Sequence, residues 1–423
     1  MANGRVTRVK DRLATGRRSF LLLMAVLGPG LITASADNDA GGISTYSIVG
    51  ARFGYALLWT LPLILLSLGV TQEMGARMGL VTRKGLGALI RERFGLRWTT
   101  FAMLATLVAN FGTTIAEFAG IAAAMELFGV SKYVAVPALA LLVYLLVVRA
   151  SYRRIERIFL ISSVVYLSYV ISGILARPDW PTAFRMMSVP TFQPSTAFIF
   201  AFVATVGTTI TPWGQFFIQS YVVDKGLTKD DITYERVDVY FGAFVTQFIA
   251  FFIIVACAAT IFARGLPIND AADAARALAP LAGPFASSLF AFGLLNASLL
   301  GAAVLPLSTA YATCEAFGWE AGVDQPPSEA PIFYGLYRAF IVLGAALVLI
   351  PGLPLIQVMY AAAAVNGILL PVILVYTLVI TNDRGIMGAY INGRVFNVIA
   401  WITVMAMIAL TAVLLAFQFL GFG

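Results

Sequence analysis

Two short stretches bring residue types able to hold a metal cation into otherwise apolar surroundings. The first is Gly28-Pro29-Gly30 followed by Ser35-Ala36-Asp37-Asn38-Asp39-Ala40-Gly41-Gly42. It sets two carboxylates and a carboxamide beside a double glycine that can leave helical geometry. The second is Gly207-Thr208-Thr209-Ile210-Thr211-Pro212-Trp213-Gly214-Gln215. There Pro212 removes a backbone donor and clashes with the preceding turn, which frees carbonyls near Thr208. Carboxylates and unwound carbonyls suit a cation. Other chemistries are excluded by what is missing. The chain has no histidine, so Ser-His-Asp hydrolases, HExxH metalloproteases, histidine-ligated haem and histidine proton relays are ruled out. Cys257 and Cys314 both fall inside apolar runs. They provide neither a disulfide framework nor a zinc or iron–sulfur site. The sequence therefore predicts no enzyme, no catalytic residue and no cofactor.

The elements that must position these residues are membrane spans. Of 423 residues, 60% are hydrophobic and only 12% charged, against about 25% charged in soluble domains. A spanning helix needs about 20 mostly apolar residues. Eleven runs meet that need, near 19–48, 55–80, 98–128, 133–149, 156–176, 197–223, 239–263, 284–317, 332–350, 355–380 and 395–420. Their apolar residues are continuous rather than alternating, which disfavours transmembrane strands. Splitting the long first and eighth runs would change the count. The first run could be read as a signal peptide with a cleavage-like Ala34-Ser35-Ala36. Ten further spans would then still need explaining, so the spanning reading is preferred.

The net charge of +7 is distributed by side. With the N-terminus inside, inner segments hold 20 basic residues, and the outer ones hold five: Lys132, Arg177, Arg185, Arg264 and Arg276. That excess fits the positive-inside rule. It places the N-terminus in the cytoplasm and the C-terminus outside a multi-pass protein of the cell membrane. The basic charge is topological, and no nucleic-acid partner is needed. Loops are short, so residues 1–423 form one transmembrane domain. Both chemistry-bearing stretches interrupt spans, the first and the sixth. A charged residue at mid-bilayer costs at least about 2.5–3.5 kcal/mol and normally faces a cavity. Paired breaks five spans apart are the pattern of a transporter built from inverted repeats. Repeat one covers about 19–177 and repeat two about 196–380, with an extra helix at about 395–420.

At these residues the chain resembles the NRAMP family of divalent-metal transporters. Gly28-Pro29-Gly30 stands before Asp39 as the family's GPG stands before its DPGN metal motif. Gln72 through Gly79 with Val81-Thr82 is similar to the second-span signature, and Ala116-Glu117 lies where the third span carries an acidic residue. Arg153-Arg154-Ile155-Glu156, Gln357-Val358-Met359, Pro371 and Ile386-Met387-Gly388 match further positions in order. The resemblance implies an all-α, LeuT-like fold with two inverted five-helix repeats, broken spans one and six, and a metal site between them. It further implies ligands at Asp39, the carbonyls of Ala36 and Thr208, and the Thr211 hydroxyl. Gln357 is expected to close over the ion in an occluded state.

The departures bear on which metal is carried. DPGN becomes Asp39-Ala40-Gly41-Gly42, so Gly42 stands where the family has a metal-binding asparagine. The family's Met-Pro-His becomes Thr211-Pro212-Trp213, exchanging a soft thioether for a hydroxyl. Oxygen ligands suit Mg²⁺ and Mn²⁺, and Mg²⁺ keeps several waters. This pattern is similar to the NRAMP-related magnesium transporter branch. The expected substrate is Mg²⁺, with Mn²⁺ also accepted, moved by a monomer in the lipid bilayer. Asp37 and Asn38 are expected to line the hydrated cavity. The family's second acidic residue on span three is Thr114 here and its span-six histidine is Trp213, which leaves Glu117 as the remnant of a proton relay. Transport without proton coupling follows, with Glu117 read as a hydrogen-bonded carboxyl between helices. The alternatives are a proton-coupled Mn²⁺ or transition-metal transporter, a sodium-coupled solute transporter of the same fold, or a cation channel. Glu73 and Arg77, four apart on one helix face, are expected to pair near the inner surface.

Overall fold

The computed structural model describes residues 38–149, 163–323 and 325–420. Gly28-Pro29-Gly30, Ala36, Asp37 and the Arg153–Glu156 connection lie outside the described residues. Everything regular among the described residues is helical. Seven of the described segments are long and apolar enough to cross a membrane.

The second half of span one is α1, Ala40–Phe53. It begins where the Asp39 side chain caps it and ends at Gly54, whose φ of 57° lies in the region that favours glycine. Span two is α2, Thr60–Thr82. The third apolar run belongs to a longer helix, α3, Leu86–Leu127, bent at Gly95 with φ 74° and ψ 177°. Its first turns carry Arg91, Glu92 and Arg93, so hydropathy alone cannot see that the helix continues into the aqueous side. Helix α4 covers Lys132–Arg149, and α5, Leu167–Leu175, is part of span five. The short α6, Trp180–Ser188, follows. Asp179 caps α6; the Thr182 hydroxyl and N–H hold its carboxyl below the usual carboxylate range.

Span six is broken as expected. Helix α7, Thr196–Thr209, gives way to extended backbone at Ile210 and Thr211, and α8 runs from Pro212 to Asp224. Pro212 at the first turn of α8 has no N–H to lose to a ladder. Span seven is α9, Ile232–Thr260. After several short helical turns, α10 covers Ala286–Phe317 as one helix, so the long eighth run is not split. Helices α11, Pro331–Val348, α12, Leu355–Thr381, and α13, Arg394–Leu420, complete the order.

The interior is organised around α3, which packs along α10 and α12, with α1 laid against α9 and α7 against α12. Backbones approach closely at small residues, the usual device between membrane helices. A Cβ added to Gly207 would sit 2.2 Å from the Gly367 nitrogen, and one on Gly367 would sit 2.4 Å from the Val203 carbonyl oxygen. A Cβ on Gly50 would meet the Ile254 carbonyl oxygen at 2.4 Å. Large apolar side chains such as Leu104, Val342, Ile402 and Met405 point outward, as lipid contact requires.

Candidate functional site

The site is built from three helix ends and one carboxylate from a neighbouring span. Asp39 stops the chain from entering α1 as free backbone: its Oδ1 accepts the Gly42 N–H at 2.7 Å. Gly42 thus supplies a donor to the aspartate. Thr211 does the same for α8, its Oγ1 accepting the Gly214 N–H at 3.2 Å. The hydroxyl oxygen keeps one further lone pair. Two positive helix ends and the carbonyl end of α7 therefore meet at the two breaks.

Gly41 marks where these elements converge. A Cβ built on it would lie 3.1 Å from Asp39 Oδ1, 3.5 Å from Thr208 Oγ1 and 3.8 Å from the Met359 carbonyl oxygen. The three nearest atoms beyond its own helix backbone are thus all oxygens, drawn from spans one, six and ten. Asp39, Thr208 and Thr211 are each at most 2% exposed. Thr208 joins the site through its hydroxyl, and its carbonyl lacks the usual i+4 partner because Pro212 has no N–H.

Glu117 reaches the same place from α3. Its Oε2 accepts the Ala40 N–H at 3.4 Å, which brings its carboxyl beside Asp39, the residue before Ala40. Gly301 leaves the room: a Cβ there would lie 2.5 Å from Glu117 Oε2. Glu117 therefore does link helices, as read from the sequence, but it does so beside the metal-ligand candidate. Tyr166 donates its hydroxyl to the Asn38 carbonyl at 2.9 Å, which buries Asn38 against span five. Tyr46 and Thr209 hydroxyls, 2.6 Å apart, tie α1 to α7.

Not every expected residue arrives. Gln357 is exposed two residues into α12, where its Nε2 donates to the Asn269 carbonyl at 3.2 Å. It is held near the start of its span, bonded to the segment before the eighth run. Trp213 is fully buried, its carbonyl accepting from Ser308 at 3.1 Å, while its indole N–H has no partner among the described residues. Ala36 and Asp37 lie outside the described residues. Sequence reading missed Gly41, Tyr166 and the Met359 carbonyl. The double glycine was the available signal for the first; a main-chain carbonyl leaves none.

A second group of charges is separate. On α2, Glu73 and Arg77 pair at 3.0 Å, and Arg236 of α9 reaches Glu73 at 2.8 Å. Arg77 also donates to the Tyr390 carbonyl and to Asn392. The expected 73–77 pair is present, and it anchors the segment before α13. No group of three or more cysteine, aspartate or glutamate side chains fit to hold a metal occurs among the described residues.

The family model described as "Natural resistance-associated macrophage protein-like", Nramp, matches residues 30–417. The chain is similar to the "Divalent metal cation transporter MntH" of Deinococcus radiodurans, with 29% identity covering 96% of this chain and 92% of that protein. Among solved structures it is similar to the Eremococcus coleocola manganese transporter, with a TM-score of 0.75 and 21% identity, covering 94% of this chain and 88% of that one. It is also similar to MhsT in complex with L-phenylalanine, at a TM-score of 0.59 and 17% identity over 92% and 98% of the two chains. These likenesses establish the LeuT-like fold.

Proposed function

We propose, for a chain that belongs to the Nramp family of membrane transporters and is not an enzyme, that its substrate is Mg²⁺, with Mn²⁺ also accepted. The observation that carries this reading is the all-oxygen surround of Gly41. Asp39 supplies the charge, and Thr208, Thr211 and the Met359 carbonyl supply neutral oxygens. Mg²⁺ dehydrates reluctantly and binds through one or two carboxylates with several waters retained. Gly41 and Gly42 leave room for those waters, and Thr211 offers no soft sulfur to a transition metal. The ion passes by alternating access about the broken spans one and six, and Ala36 and Gln357 complete the ligand set in other conformations. Asp37 and Asn38 line the hydrated approach, and the monomer sits in the cell membrane with its N-terminus in the cytoplasm and its C-terminus outside.

Import runs without proton coupling. An inside-negative potential supplies about 2.3 kcal/mol per elementary charge per 100 mV, so a dication enters downhill. The position of Glu117, bonded to the Ala40 N–H next to Asp39, favours a second reading, a proton-coupled Mn²⁺ transporter in which the two carboxyls exchange a proton as metal enters. Proteoliposomes decide between them. Mg²⁺ uptake that falls to background in Asp39→Ala supports the assignment, and undiminished uptake in that variant sinks it. Internal pH recorded during uptake separates the two readings, because acidification that tracks the metal belongs to the second. Competition among Mg²⁺, Mn²⁺ and Ca²⁺ in the same assay ranks the substrates.

A further inference from the structure

Beneath the broken spans, at the inner end of α8, a second set of oxygens is left incompletely bonded. Gln219 is fully buried, and its Nε2 donates to the Lys84 carbonyl at 2.8 Å. Its Oε1 has no partner among the described residues. The next residue, Ser220, donates to Glu315 Oε1 of α10 at 2.8 Å, while the buried Glu315 Oε2 is unpartnered. Both head groups therefore converge on the turn between α2 and α3. Gly85 makes that possible: a Cβ there would lie 1.8 Å from Glu315 Oε2. Gly79 makes room for Gln219 in the same way, since its Cβ would meet the Gln219 carbonyl oxygen at 2.8 Å.

The neighbouring cations are engaged elsewhere. Lys84 Nζ pairs with Glu92 at 2.6 Å, and Arg91 donates to the Ala316 carbonyl at 3.2 Å. Glu315 makes no ion pair with a described residue within salt-bridge distance. A buried carboxylate oxygen and a buried amide oxygen, both without a donor among the described residues, offer lone pairs to a cation. A hard divalent cation with retained waters suits such oxygens.

We infer that Glu315 and Gln219, with the Lys84 carbonyl, form a second divalent-cation station on the cytoplasmic side of the mid-depth site. It rests on the transport reading above, because it receives the ion that Asp39 releases. The ion takes the free Oε2, and the Ser220 hydroxyl that ties α8 to α10 keeps its bond to Oε1.

Mn²⁺ titration followed by electron paramagnetic resonance tests this on the full chain in detergent. Wild type should bind two ions, Asp39→Asn and Glu315→Gln one each, and the double variant none. Ser220→Ala should keep both ions, which separates a ligand role from a structural Ser220–Glu315 bond. If Glu315→Gln fails to fold, Asp39→Asn decides alone: one residual ion supports the station and none overturns it. A wild type that binds a single ion, or a folded Glu315→Gln that keeps both, also overturns it. Two ions in this pattern without any Mg²⁺ uptake by liposomes would instead overturn the transport reading and leave the station standing.

Discussion

Among the buried carboxylates of this chain, two groups handle the charge in opposite ways. In the C-terminal half of α2, Glu73 has two arginines against it, Arg77 at 3.0 Å and Arg236 at 2.8 Å. Between α1 and α3, Asp39 and Glu117 face one another with backbone N–H groups from Gly42 and Ala40 and no described cation within salt-bridge distance. Burying a carboxylate is costly unless it is paired. The first region meets that cost from within the chain, and its role is to hold α2, α9 and the segment before α13 together. In the second no described cation meets it, and backbone N–H groups stand in its place. Lack of an internal cation, more than the presence of acid, sets Asp39 and Glu117 apart from Glu73.

The largest expected effect breaks the second region. Asp39→Asn should lower Mg²⁺ uptake by about 100-fold or more, since a mid-bilayer charge ligand is removed. Its melting temperature in detergent, read by intrinsic fluorescence, should not fall. Arg77→Ala should do the reverse. Stripping one partner from a buried pair costs about 3–5 kcal/mol, which should appear as a clear drop in melting temperature, with uptake per folded molecule retained. If both variants lose stability and uptake together, the contrast between the regions fails.

Smaller changes sharpen it. Gly41→Ala places a methyl 3.1 Å from Asp39 Oδ1, a tight contact that should lower uptake about tenfold, a loss of about 1.4 kcal/mol in transition-state stabilisation. Thr211→Met should shift Cd²⁺ over Mg²⁺ competition by about tenfold toward the softer metal. Thr211→Ala removes the cap of α8 and should cost about 1 kcal/mol of stability, measured by chemical denaturation, with selectivity moved least of all.

The architecture was largely written in the apolar runs, because a bilayer admits few solutions for a continuous apolar stretch. The break at Ile210–Thr211 followed from Pro212, and Asp39 from its cost at mid-depth. Glu117 was legible as an acid but not as a neighbour of Asp39. The bond that brings it there joins Glu117 to Ala40, 77 positions apart, and uses the room left by the absent side chain of Gly301. Motif likeness carries residue type, whereas the atoms that meet Gly41 depend on where a helix begins, and α12 begins at Leu355. The Met359 carbonyl of that helix lies 3.8 Å from a Cβ built on Gly41, and a backbone oxygen leaves no mark in a sequence.

The seam between Gly207 and Gly367 has a mechanical consequence. With the two backbones touching and no side chains between them, α7 and α12 have no cushion that could shear or repack. Any rotation of α7 must therefore carry α12 with it, and α12 bears the Met359 carbonyl near its start. The extended backbone of Ile210 and Thr211, between the two halves of span six, is the joint at which α8 can turn without moving that pair.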